Sequence, residues 1–562
     1  MRRALFSFAV LVVGLAACGP GAPGPGIDVD RALIEGKDIA FPRVYNSDAS
    51  TRVRNYIVEM LREMDVTAEL SPVGTVEVPR IEVAGVVYRE RHSVDVNDPD
   101  LLARFGPPTG KALVVMAHYD SVARSPGACD NAAAVGVLLE VARVLKAQPP
   151  DRPVILAFTA AEEVGLVGAE ALANKLGSDV EFAIALDLIG GDGPLVVNGA
   201  SELIGQRELA WLRDAANRAG VELSFPLAHR VVSRWWPQAE RSDHGPFTMR
   251  GIRAVHFYNR GNDGEWIDRA YHSEHDTWRR VHPEQVAAVG RLLLALVAKP
   301  VPAHDGDGFV VPIAHVVIPR WLLVAFELAL AILTALALAR QRRARSPGAG
   351  LLLGSACYLA ALVLAIVVER IATAYPAAWL LSPLRMTIAV ALVLSGSFGL
   401  LTRLVARFTP WTGALRYRAL ASLMCLVIGL LFVAVGAAEL AWIWLVPAFV
   451  IAIAPGAIGV IVSLLPAILV LRPVQLREAA WNNFLPTSLP LAVWIGLFGV
   501  PTIAAAAWAF RGRPVPRGPL VTLILGVGCG LAVSAGLVVA ITTKTTCSSS
   551  EFWRFSLACE RV

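Results

Sequence analysis

The residue types able to do chemistry fall in a short ordered series: His118-Tyr119-Asp120, Gly127-Ala128-Cys129-Asp130-Asn131, Glu162-Glu163-Val164-Gly165, Asp187, and Tyr271-His272-Ser273-Glu274-His275-Asp276. Adjacent glutamates repel each other unless a cation neutralises one of them. His118, Asp130, Glu163, Asp187 and His272 form a nitrogen and oxygen donor set suited to zinc, with no cysteine competing. Each is unremarkable alone, since a lone histidine is usually a satisfied surface or core residue and a Glu-Glu pair is usually solvated. The specific signal is their order and combination.

These residues need a scaffold that brings strand ends together. Residues 27–305 alternate β-branched runs with helical patterns, which predicts an α/β domain with a mainly parallel, doubly wound sheet. Strands are expected at Ala112–Ala117, Val154–Thr159, Phe182–Leu188 and Arg253–Tyr258, and helices at Asn131–Ala147, Gly168–Lys175, Glu202–Ala219 and Pro283–Ala298. His118, Asp120, the Glu162-Glu163 pair and Asp187 then stand at carboxyl ends of strands, where open α/β sheets bind ligands. Nearly 280 residues bury a large core without staples, and seven cysteines with no CxxC spacing exclude a disulfide scaffold or zinc finger.

The chain has 562 residues, 55% of them hydrophobic and 17% charged, a balance too apolar for a purely soluble protein. From Arg320 onward 19 basic residues stand against 6 acidic, while the stretch before it has 32 against 40. The later arginines sit in short clusters between apolar runs, the pattern of cytoplasmic membrane loops, and no nucleic-acid partner is expected.

Met1-Arg2-Arg3 and the apolar run to Ala17 read as an export signal, and Leu15-Ala16-Ala17-Cys18 resembles a lipobox with Cys18 lipidated; the alternative is an uncleaved anchor. Residues 1–26 are thus signal and tether, 27–305 the α/β domain, 306–320 a linker, 321–543 a polytopic α-helical membrane domain and 544–562 a tail. Apolar segments run over Trp321–Ala339, Leu351–Val368, Met386–Leu401, Ala419–Ala438, Ala441–Leu471, Leu489–Phe510 and Leu520–Thr543. Arg340, Arg342, Arg343 and Arg345 put the end of the first segment inside, and so the α/β domain outside. A hairpin at Pro455-Gly456 gives eight spans and an exoplasmic tail in which Cys547 and Cys559 can pair; a single helix there gives seven and two free thiols. In a bacterium this is a multi-pass inner-membrane protein with a periplasmic domain.

With Ser242-Asp243-His244 added, the series resembles the co-catalytic zinc aminopeptidases, clan MH metallopeptidase family 28, over roughly residues 50–300. The membrane half makes the whole chain similar to the endoplasmic-reticulum and vacuolar-membrane branch of that family. The resemblance implies two zinc ions: His118 and Asp187 on one, Glu163 and His272 on the other, and Asp130 bridging both. It makes a shared hydroxide the nucleophile and Glu162 the general base. Asp120 and Asp276 are expected to orient the imidazoles of His118 and His272.

The family often has a tyrosine before Ser-Asp-His, whereas this chain reads Trp235-Trp236-Pro237-Gln238-Ala239-Glu240-Arg241. The oxyanion contact is therefore unassigned, with Arg241 and Tyr258 as substitutes. Ala132-Ala133-Ala134 reads as neutral packing, and the two tryptophans as pocket, core or interfacial residues. The implied function is a membrane-anchored exopeptidase acting on the N-termini of peptides, with membrane lipid around its helices and no oligomeric state indicated. Its rivals are a glutaminyl cyclase or carboxypeptidase using the same site, or a non-catalytic membrane scaffold.

Overall fold

The structure, a computed structural model, describes residues 26–342 apart from 79–80, 84–85, 90, 200–202, 226–241, 260–269, 306–307 and 312–315. Beyond these it describes 414–466 apart from 455–456, scattered positions between 356 and 401, and 500–501. The expected signal, Cys18, Trp235, Trp236, Arg241, Cys547, Cys559 and the last two apolar segments, but for residue 500–501, lie outside the described residues. Contacts divide the chain into two compact units, the first reaching Arg320 and the second starting at Trp321.

The first unit opens with two helices, α1 (Val29–Asp38) and α2 (Asp48–Glu63), absent from the sequence expectations. Each begins where a side-chain oxygen accepts an otherwise unpaired amide, Asp28 from Arg31 and Ser47 from Ser50. The strands β1 (Glu69–Ser71), β2 (Gly74–Val78), β3 (Ile81–Val83), β4 (Val86–Arg89), β5 (His92–Val96) and β6 (Asp100–Phe105) follow. Then come β7 (Ala112–His118), α3 (Ala133–Ala147), β8 (Val154–Thr159), α4 (Val167–Leu176), β9 (Val180–Leu186) and β10 (Leu195–Asn198). The unit continues with α5 (Gln206–Ala219), β11 (Leu223–Ser224), α6 (His244–Met249), β12 (Ala254–Asn259), α7 (Pro283–Val297), β13 (Gly308–Val311) and β14 (Val316–Pro319).

Eight strands form one sheet in the order β1-β6-β8-β7-β9-β12-β10-β11. The central four, β8-β7-β9-β12, are parallel, whereas β1, β6 and β10 join by antiparallel pairings. The sheet is therefore mixed, parallel only where the chemistry-bearing strands lie. Its antiparallel members are short or carry mixed residues, such as Asp100 and Arg104 in β6, so they lack the continuous apolar run that betrays a buried parallel strand. Val114, Met116, Ile155, Ala157, Ala183 and Ala185 pack beneath Leu172, Ala173 and Leu176 of α4 and Phe247 of α6. Leu113, Val115 and Ala117, equally buried, face the other way as strand alternation requires. On β7 the chain moves to β8 on one side and β9 on the other, a topological switch that opens a crevice at the carboxyl ends.

Helices α1 and α3 cross at glycines. A Cβ on Gly136 would lie 2.3 Å from the Ala32 carbonyl oxygen. Residues 308–311 and 316–319, expected as part of a linker, instead pair as the antiparallel strands β13 and β14, since both carry runs of β-branched residues.

In the second unit, α8 (Arg320–Arg342) covers the first expected apolar segment, and its 21 residues from Arg320 to Arg340 are long and apolar enough to cross a membrane. It is the one such helix among the described residues. The helices α9 (Ala414–Ala434) and α10 (Ala438–Ile453) pack together, with Ser422 donating to the Ala448 carbonyl at 2.7 Å. The 31-residue apolar stretch expected from Ala441 is not one helix: it breaks at Ala454 and resumes as α11 (Ala457–Ser463). A Cβ on Gly459 would lie 4.0 Å from Ile451 Cα, so the start of α11 lies against the last turn of α10.

Candidate active site

His118 is the last residue of β7, Glu162 and Glu163 follow β8, and Asp187 follows β9, where its amide donates to the Phe257 carbonyl at 3.1 Å. Asp130 lies in a turn of Ala128–Ala132 ahead of α3, expected as the helix's own first turn. Its φ and ψ of −118° and 78° are not helical, which frees its carboxylate to point away from the helix axis. The Asp130–Asn131 peptide bond is cis, and the Asn131 amide group donates to the Leu186 carbonyl at 2.7 Å, tying this turn to the end of β9. His272 comes from the loop before α7 with a left-handed φ of 53°, as does Ala161, φ 53°, just before Glu162. Left-handed backbone costs a non-glycine residue roughly 1–2 kcal/mol, and these two sit at the crevice.

All seven sequence-predicted residues meet there. His118 Nε2 is 3.2 Å from Asp130 Oδ1 and 3.6 Å from Asp187 Oδ1. His272 Nε2 is 3.4 Å from Asp130 Oδ2 and 2.9 Å from Glu163 Oε2. One oxygen of Asp130 thus faces each imidazole. Two clusters result, His118–Asp130–Asp187 and Asp130–Glu163–His272, and Glu162 comes within similar reach of His118 and Glu163.

Asp120 does more than the expected support of one imidazole. Its Oδ1 lies 3.4 Å from His118 Nδ1, and its two oxygens accept the amides of Glu162 and Glu163 at 3.1 and 3.3 Å. Asp276 differs from expectation. It accepts the amides of Cys129 and Asp130 at 2.9 and 3.1 Å, holding the Asp130 turn rather than orienting His272. The start of that turn presents unpaired N–H groups, and a buried carboxylate is their natural acceptor. Sequence spacing from His272 suggested the wrong partner because the contact spans 146 positions.

Two features, Arg43 and the Thr159–Asp243 contact, escaped the sequence reading. Arg43 is wholly buried behind the loop that carries Asp120. Thr159 donates its hydroxyl to Asp243, whose other oxygen is buried without a hydrogen-bond partner. Tyr258, a candidate for the oxyanion contact, lies in the sheet with its ring tilted against His256 at 5.2 Å. No local pattern marks Arg43, whereas Asp243 was visible within Ser242-Asp243-His244 but without a partner.

The electrostatics are those of crowded carboxylates around two imidazoles. Burial favours the neutral imidazole of His272, yet Glu163 and Asp130 raise its pKa to about 10. His118 is raised in the same way, against burial, by Glu162, Asp120, Asp130 and Asp187. Asp130 is held low by both imidazoles despite its burial. Burial pushes Glu162 and Glu163 up, and their carboxylate neighbours add to it.

The donor set fits a pair of zinc ions. Ligand bonds of about 2.1 Å to a tetrahedral ion separate the ligand atoms by about 3.4 Å, close to the four contacts above. His118 Nε2, Glu163 Oε1 and Asp187 Oδ1 are buried with no hydrogen-bond partner, a costly state that a cation relieves.

Residues 100–297 match peptidase family M28. Aminopeptidase YwaD of Bacillus subtilis is 34% identical over 197 residues, which are 33% of this chain and 40% of that protein. The vacuolar membrane protease of Schizosaccharomyces japonicus is 34% identical over 156 residues, 26% of this chain and 18% of that protein. The matches thus span two fifths or less of these relatives' lengths. Among solved structures, a zinc aminopeptidase from Bacillus subtilis aligns with a TM-score of 0.40 at 19% identity, covering 48% of this chain and 94% of that one. The whole cluster from His118 to His272 lies inside the residues that match peptidase family M28.

Proposed function

We propose that the chain is a membrane-anchored metallopeptidase that uses two zinc ions to release N-terminal residues from peptides. One observation carries this reading: Asp130 turns one carboxylate oxygen to each of two imidazoles, at separations that suit ligands of adjacent ions. His118 and Asp187 would hold one ion, Glu163 and His272 the other, with Asp130 available to both. Bound zinc supplies Lewis acidity for the scissile carbonyl and for an attacking water. Glu162 takes the proton of that water and passes it to the leaving amine. Asp120 fixes His118 and the backbone of both glutamates, so one carboxylate aligns a ligand, the base and a second ligand together.

The membrane part of the reading is supported by the apolar length of α8 and by the named vacuolar membrane protease relative. In it, the arginines from Arg340 to Arg345 are cytoplasmic and the peptidase domain exoplasmic, periplasmic in a bacterial inner membrane. The break of the apolar stretch at Ala454, with the start of α11 against the last turn of α10, supports a hairpin and eight spans. Peptides are the substrates, lipid surrounds the helices, and nucleic acid has no part.

The test is elemental analysis of the dialysed full-length protein together with substrate profiling. Two zinc ions per chain and hydrolysis of free-amine peptides but not N-blocked ones are expected. Absence of bound divalent metal, equal cleavage of N-blocked peptides, or cyclisation of an N-terminal glutaminyl peptide in place of hydrolysis defeats the reading.

A further inference from the structure

Arg43 lies in the segment between α1 and α2, 75 positions before the first candidate ligand, and its side chain has no exposed surface. Its guanidinium donates to four carbonyl oxygens: Nε to Tyr119 at 2.8 Å, Nη1 to Phe41 at 3.1 Å and Pro126 at 2.7 Å, and Nη2 to Gly127 at 3.0 Å. The main chains are also cross-linked, since Arg43 N donates to Ser121 Oγ at 3.0 Å and Ser121 N to the Arg43 carbonyl at 3.2 Å. The loop so gripped, Tyr119 to Gly127, carries Asp120 and leads into the Asp130 turn. At its end Gly127 adopts φ 60°, and a Cβ there would lie 2.4 Å from the Asp130 carbonyl oxygen and 2.8 Å from Arg43 Nη1.

None of those four bonds ends on a carboxylate. A buried guanidinium without a hydrogen-bonded counter-charge is expensive, and a neutral side chain would clamp a loop at lower cost. What answers the charge is the field of Asp120, Asp130, Asp276 and Glu163, which oppose the effect of burial on Arg43. We propose that Arg43 is a positioning residue of the metal centre: its carbonyl bonds set the Asp120 and Asp130 loop, and its fixed positive charge offsets carboxylates that two zinc ions alone do not neutralise. This rests on the dinuclear zinc reading above. Arg43 touches neither substrate nor the reacting atoms; it acts through the loop and through its field.

The experiment uses the full-length protein with Arg43→Gln, which removes charge, and Arg43→Lys, which keeps charge but loses the planar fork. Zinc affinity is measured by chelator competition, alongside kcat, KM and the melting temperature of the zinc-free protein. Arg43→Gln should weaken zinc binding about 10–100-fold, the range for supports of metal ligands. Arg43→Lys should recover part of that loss. Kcat should fall with KM within about two-fold, as expected for a change felt at the reacting centre rather than in substrate binding. Folded variants holding zinc as tightly as the wild type overturn the proposal and leave the zinc reading standing. A wild type that binds no zinc overturns both. If neither variant folds, Ser121→Ala decides, since it slackens the same loop and leaves the guanidinium in place: weaker zinc supports the proposal, unchanged zinc refutes it.

Discussion

Neighbouring glutamates at the end of β8 meet different surroundings. Glu163 reaches His272 at 2.9 Å, while Glu162 makes no ion pair with either imidazole. Replacing each with glutamine keeps size and removes basicity. Glu162→Gln should retain zinc and lose at least ~10²-fold in turnover, whereas Glu163→Gln should lose zinc. If the two variants bind metal alike, the assignment of base and ligand is wrong. The five candidate ligands that the structure brings together were legible as an ordered series of chemically suited residues, three of them, His118, Glu163 and Asp187, at or just after strand ends. The supports were not: Asp276 and Arg43 act across 146 and 76 or more positions, on backbone groups whose placement no side-chain pattern encodes.

At the scale of elements, the parallel centre was readable from continuous apolar runs, but β6, β10 and the helices α1 and α2 were not. Asp100, the first residue of β6, accepts the Ala160 amide at 2.9 Å just beyond β8, in a place wholly closed to water. Burial, with Asp243 adding and the Ala160 amide opposing, raises its pKa from 3.8 to about 8. The folded protein therefore keeps a proton there that the unfolded chain releases. Stability from this group is complete below about pH 4, falls through the window up to pH 8 by at most about 1.4 kcal/mol per unit, and is flat beyond. Asp100→Asn should flatten that part of the melting-temperature profile; an unchanged slope refutes the account. The α1–α3 crossing gives a second check. Glycine to alanine inside a helix ordinarily stabilises by about 1 kcal/mol, but Gly136→Ala must push against the Ala32 carbonyl and should destabilise by roughly 1–3 kcal/mol in chemical denaturation.

For the molecule as a whole, the proposed arrangement predicts where reporters work. An alkaline-phosphatase fusion, active only after export, should be active at about residue 300 and at the C-terminus but silent at Arg345. Inactivity at residue 300 refutes an exoplasmic peptidase domain, while inactivity at the C-terminus alone restores seven spans and leaves the enzyme reading intact. The grip of Asp276 on Cys129 and Asp130 also bears on how the centre comes into being. A nascent chain that has reached Ser273 already carries His118, Asp130, Glu163, Asp187 and His272, yet lacks the carboxylate that sets the Asp130 turn. On the proposed zinc reading, a chain truncated after Ser273 should therefore bind zinc more weakly than the full-length chain.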